Sequence, residues 1–143
     1  VLDGNARLEP GAELFSVDGP VLVVTSAQPA ADYSFDKRTE CIQMVGNDGR
    51  VDLDQLLTLL AEKQVNEVMV EAGAGVAGAF IARDMVDEII VYSSPDILST
   101  SGRGMFVIRG IRNIEYRVRL EIKNISRLGR DLKVTYGRTD GTG

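Results

Sequence analysis

Val68-Met69-Val70-Glu71-Ala72-Gly73-Ala74-Gly75-Val76-Ala77-Gly78-Ala79-Phe80 is the stretch whose reading decides the fold. An apolar, β-branched run ends in a carboxylate, a glycine-rich turn follows at once, and small residues continue at helical spacing. The order predicts a strand over Glu67–Glu71, a tight loop, and a helix running from Val76 to Arg83. The first turn of a helix carries backbone N–H groups without intrahelical acceptors, at the positive end of the helix dipole. Glycines let an anionic ligand approach such groups closely. Gly73, Gly75 and Gly78 have GxGxxG spacing, a weak signal by itself. Two readings stay open on spacing alone. Either the turn cradles a phosphate with Glu71 at its lip, or it is a compact connection whose small residues only permit close packing.

The flanking segments extend the pattern. Val21–Thr25 is a continuous apolar run that predicts a buried strand. Residues 30–39 are polar and read as a loop, and Cys41–Val45 reads as a second strand closed by the turn Gly46-Asn47-Asp48-Gly49. Leu53, Leu56, Leu57 and Leu60 fall on one helix face, with Asp52 as N-cap and Gln55 three residues on, a capping-box variant. Glu88–Tyr92 predicts a further strand. The middle of the chain thus reads β-α-β-α-β with short connections, which implies parallel pairing. Beyond a Ser/Thr/Gly-rich loop over residues 97–105, Leu120–Arg127 and Asp131–Tyr136 predict an antiparallel hairpin around Leu128-Gly129-Arg130. Leu120, Ile122 and Asn124 alternate there against Glu121, Lys123 and Ile125. The tail from Gly137 to Gly143 is expected to be disordered.

Composition narrows the chemistry. The 143 residues suit one domain, and 44% hydrophobic content is enough for a core. A net charge of −5 argues against a nucleic-acid partner. The basic cluster Arg109, Arg112, Arg117 and Arg119 is interleaved with apolar residues and suits a solvated strand face or phosphate contacts. Histidine is absent, which removes the commonest general base and metal ligand. The one cysteine, Cys41, excludes an internal disulfide or a cysteine zinc site and reads as a core residue. No metal site is expected. No run approaches the roughly 18 apolar residues of a membrane helix and no signal peptide is visible, so a cytoplasmic setting is expected.

Several motifs together resemble one family. Glu71-Ala72-Gly73, then Ala77-Gly78-Ala79-Phe80, then Met85 to Tyr92 and Pro95-x-Ile97-Leu98, are similar to the reductase domain of bifunctional riboflavin biosynthesis deaminase–reductases. Gly49-Arg50-Val51-Asp52-Leu53 and Leu128-Gly129-Arg130-Asp131-Leu132 match in the same order. The resemblance implies a dihydrofolate-reductase-like α/β fold. Its mixed, mostly parallel central sheet would be flanked by helices and followed by the antiparallel hairpin. It implies that residues 1–143 form a single reductase domain lacking its N-terminal part, since the chain opens in mid-strand at Val1-Leu2-Asp3-Gly4. It implies NADPH-dependent reduction of the ribosyl group of 5-amino-6-(5-phosphoribosylamino)uracil to ribityl, with hydride delivered to the ribosyl C1′. Such chemistry needs positioning more than a strong base, which suits a chain without histidine.

By position, the resemblance assigns the cofactor phosphates to Gly73, Ala74, Gly75, Val76, Ala77, Gly78 and Ala79. It assigns a substrate contact to Glu71 and a cofactor contact to Thr25, whose hydroxyl could equally bond its own loop. No catalytic residue is assigned. A homodimer is implied, with Leu120–Tyr136 at or near its contact. Two departures stand out: Gly73-Ala74-Gly75 replaces the family's Gly-Pro-Thr, and Ser99 follows Leu98 where the family has glycine. Two other readings compete, a non-catalytic nucleotide-binding or oligomerisation module of this fold and a pterin or folate reductase.

Overall fold

A computed structural model describes all residues except 31–32, 98, 100–101, 111–112 and 140–143. The chain divides into two compact units, Val1–Val68 and Met69–Gly143. The class is α/β, with a parallel sheet, helices and an antiparallel sheet.

In the first unit, β1 (Val21–Thr25) pairs in parallel with β2 (Thr39–Gln43), and Leu2 bridges Val24 from the other side. Val23, Val24 and Thr25 are the most deeply buried side chains described, as a continuous apolar run covered on both faces should be. β2 begins two residues earlier than expected, and Cys41 is exposed rather than in the core. In an alternating strand, Ile42 takes the inward position and Cys41 the outward one.

Helix α1 (Leu53–Glu62) follows the sequence closely. Asp52 Oδ1 accepts from the amides of Asp54 and Gln55 at 3.0 and 3.1 Å, and Gln55 Nε2 donates to Asp52 Oδ2 at 2.9 Å. Leu53 and Leu56 are buried on the predicted face. The helix ends in a Schellman motif, with Gln64 N–H donating to Ala61 O, Val65 N–H to Leu60 O, and Gln64 held at φ 63°. The N-terminal segment is fastened by Asp3, whose Oδ2 accepts from Leu8 N–H at 2.5 Å and from Tyr33 O–H at 2.8 Å. Burial, then the Asp3 bond, pushes the Tyr33 phenol well above its ordinary pKa.

The second unit holds helix α2 (Ala74–Ala82) and an antiparallel sheet. Its strands are β3 (Glu88–Ser93), β4 (Leu120–Leu128) and β5 (Asp131–Arg138), in the order β3-β5-β4. The expected hairpin is present, and Gly129 at φ 60° takes the first central position of its two-residue turn, where a type II′ turn requires glycine. β5 runs on through Gly137 and Arg138, so the tail expected to be disordered is ordered to that point. Residues 140–143 of that expectation, Arg112 of the basic cluster and Leu98 of the Pro95 motif lie outside the described residues.

Two expectations fail here. Glu67–Glu71 joins no ladder among the described residues, and Val68, Met69 and Val70 are 44%, 78% and 39% exposed. β-Propensity makes a run eligible for a strand, but pairing requires a partner edge. Accordingly β3 does not continue a parallel β-α-β unit; it pairs antiparallel with β5, Ile89 opposite Tyr136 and Val91 opposite Val134. Secondly, a bulge between Ile122 and Asn124 breaks the alternation of β4. Ile122 faces Tyr136 and Ile125 faces Val134, so the extra residue moves Ile125 onto the face of Leu120 and Ile122. That face also carries Leu132, and Ile122, Ile125 and Leu132 remain 54%, 58% and 45% exposed. The side chain of the bulged Lys123 lies over Gly137, where a Cβ would be 2.6 Å from Lys123 Cε.

Candidate functional site

Helix α2 begins two residues earlier than predicted, with Gly73 as N-cap at φ −66°, ψ 164°. A glycine N-cap has no side chain to bond the first-turn amides, and the first turn carries no acidic residue. Gly73 O accepts from Val76 and Ala77 N–H at 3.1 and 3.2 Å. The amides of Ala74 and Gly75 lie ahead of these and have no acceptor among the described residues. Both Gly73 and Gly75 are exposed, and a Cβ built on either meets nothing within 4 Å. The helix therefore opens with unsatisfied donors, the positive dipole end and clear space above the backbone. That donor set fits an anion such as a dinucleotide pyrophosphate.

The other assigned positions divide by environment. Glu71, two residues before the N-cap, is exposed and has no ion-pair partner among the described residues. It stands beside the open helix end as a free carboxylate. Val76, Ala77 and Ala79 are half-buried within the helix. Gly78 is buried and meets the backbone of Val107, and a Cβ there would lie 2.7 Å from the Val107 carbonyl carbon. Val107 N–H also donates to Ala74 O at 2.9 Å. The three glycines of the GxGxxG spacing thus differ: Gly73 and Gly75 are open, whereas Gly78 lets a second segment lie against the helix. The close-packing reading of the motif holds at Gly78, whereas Gly73 and Gly75 have no such neighbour. Val107 was not identifiable as a site neighbour, because nothing local to residues 105–109 encodes its pairing with a helix some thirty residues earlier.

Thr25 belongs to the first unit. It is fully buried, its Oγ1 accepts from Ala27 N–H at 3.2 Å, and its carbonyl accepts from Met44 N–H at 2.8 Å. The hydroxyl shapes the turn that leaves β1. Among the described residues no group of three or more carboxylate or cysteine side chains could hold a metal ion. No helix is long and apolar enough to cross a membrane, again among the described residues.

Fold and turn together define an α/β protein with a glycine-lined helix end whose first-turn amides are open. More specifically, the chain belongs to the RibD C-terminal domain family, whose model matches residues 1–134. The riboflavin biosynthesis protein RibD of Haemophilus influenzae is 29% identical over 136 residues, covering 95% of this chain and 36% of that protein. A 2,5-diamino-6-ribosylamino-4(3H)-pyrimidinone 5′-phosphate reductase of Methanothermobacter thermautotrophicus is 31% identical, over 95% of this chain and 63% of its own length. The solved structure of Acinetobacter baumannii RibD matches with a TM-score of 0.75 at 25% identity, over 96% of this chain and 36% of that one. The chain therefore spans about a third of the length of these bacterial relatives. The family expected from the motifs is the family found.

Proposed function

We propose that this chain carries the reductase step of riboflavin biosynthesis: NADPH-dependent reduction of the ribosyl group of 5-amino-6-(5-phosphoribosylamino)uracil to ribityl. The observation that carries the reading is the uncapped, unobstructed N-terminus of α2 with Glu71 just ahead of it. Family membership, and relatives named as reductases of phosphorylated ribosylaminopyrimidines, supply the substrate class. Bound there, a nicotinamide cofactor supplies the hydride. The amides of Ala74 and Gly75 receive its phosphates, and the glycines at 73 and 75 keep the approach clear. The Glu71 carboxylate orients substrate through the substrate's hydrogen-bond donors. Thr25 fixes the turn after β1, and Gly78 holds α2 against Val107 so that the helix end keeps its shape. The same reading sets the reaction in the cytoplasm.

We extend the proposal to a homodimer formed through the β4–β5 hairpin. Its support is the row Ile122, Ile125 and Leu132 on one exposed face, since monomers rarely leave such rows uncovered.

Ala74→Asp places a carboxylate at the helix N-terminus, where it favours the helix but repels phosphate. NADPH binding, followed by cofactor fluorescence, should weaken by about 1–3 kcal/mol with stability retained. Glu71→Gln should lower turnover while cofactor affinity holds. Unchanged NADPH affinity in the first variant would remove the phosphates from this turn, and full turnover in the second would leave Glu71 structural.

A further inference from the structure

We propose that the second unit has an additional anion site at the far end of α2, suited to a small phosphomonoester with an apolar body. The place is a cavity of about 270 Å³ whose apolar wall includes Ile81, Val86, Ile89 and Leu120. It lies nearly the full length of a nine-residue helix from Gly73, about 12 Å at 1.5 Å per residue, and so is separate from the glycine turn.

Charge is what singles it out. Arg117, Arg119 and Arg138 all line the cavity, and Asp84 is the only carboxylate among its lining residues. Asp84 is spent on Arg138: Nη2 of the arginine meets Oδ2 at 2.5 Å, and Nη1 meets the Asp84 carbonyl at 3.3 Å. Asp84 is itself fixed in a Schellman motif at φ 59°, with its N–H donating to Ile81 O and Met85 N–H donating to Phe80 O. Arg138 is thereby tethered, with donors to spare. Arg117 Nη1 donates to Ile114 O at 2.7 Å, a neutral partner. Arg119 has no hydrogen-bond or ion-pair partner among the described residues. Two guanidinium charges are thus left uncompensated in a chain of net charge −5.

The chemistry of the ligand follows. Guanidinium forks match phosphate oxygens, and several arginines at one cavity suit a dianion better than a single carboxylate. The apolar wall adds affinity for a body attached to the phosphate. The volume is slightly below that of drug-sized ligand sites, which favours a compact ester over a polymer. The segment Arg117-Val118-Arg119-Leu120 contributes both charged and apolar residues to the lining.

The experiment is an amide NMR titration of the chain with phenyl phosphate and, separately, with inorganic phosphate. Saturable shifts are expected at Asp84 and at Arg117–Leu120, with phenyl phosphate binding more tightly than inorganic phosphate. Arg119→Gln should weaken phenyl phosphate about tenfold while leaving the rest of the spectrum in place, and Arg119→Lys, which keeps the charge without the fork, should fall between. Shifts confined to the amides of Ala74–Val76, or an Arg119→Gln protein that binds as tightly as the parent, would overturn the site. Equal affinity for the two probes would overturn the apolar part of the assignment.

Discussion

Gly78→Ala should destabilise the protein, although alanine is the better helix former by about 1 kcal/mol. The new Cβ would sit 2.7 Å from the carbonyl carbon of Val107 and 3.0 Å from its nitrogen. These are backbone atoms and cannot swing aside as a side-chain tip can. Relief requires the Val107 segment to move off the helix, which stretches its 2.9 Å bond to Ala74 O. Overpacking costs about 1–3 kcal/mol, and losing one backbone hydrogen bond costs about 1 kcal/mol more. Set against the propensity gain, the net loss is about 1–3 kcal/mol. Gly75→Ala is the internal control. It lies in the same helix, is exposed and has open space, so it should gain about 0.5–1 kcal/mol. Urea unfolding reads both, and the two midpoints should move in opposite directions at unchanged slope. A Gly78→Ala midpoint that rises with that of Gly75→Ala would refute the close approach of Val107.

Three further outcomes are expected. Gln64→Gly should stabilise α1 by about 0.5–1 kcal/mol in the same assay, because Gln64 occupies a left-handed cap position that costs a Cβ-bearing residue and not glycine. Burial pushes the Asp3 carboxyl up, but the bonds from Leu8 N–H and Tyr33 O–H prevail and hold its pKa below the ordinary 3.8. A depressed pKa gives stability that is present above the unfolded value and lost as pH falls through the folded one. The stability advantage of the parent over Asp3→Asn should therefore shrink below pH 3.8, and an advantage constant down to pH 2 (about two units lower) would contradict it. Ile125→Lys, on the exposed face of the hairpin, should shift the mass measured by light scattering from dimer toward monomer at micromolar concentration; a dimer that persists unchanged would place the interface elsewhere.

What could be read from the sequence is what neighbours along the chain decide. Asp52 and Gln55 cap α1, Leu53 and Leu56 define its buried face, and Gly129 shapes the hairpin turn. Each depends on a few consecutive dihedrals and a side chain within reach of its own backbone. Even the family rests on motifs of this local kind, strung in order. The remainder was set by partners distant in the chain. Glu67–Glu71 has strand-forming residues but joins no ladder among those described, Cys41 faces outward, and one bulge carries Ile125 to the other side of β4. Gly78 and Gly75 look alike in the sequence, yet only Gly78 has Val107 against it. Asp84 meets Arg138 across 54 positions. Local hydrogen bonds and excluded volume select a residue's conformation, whereas its neighbours in space depend on how distant segments satisfy their own backbone groups. Only the tertiary structure determines that.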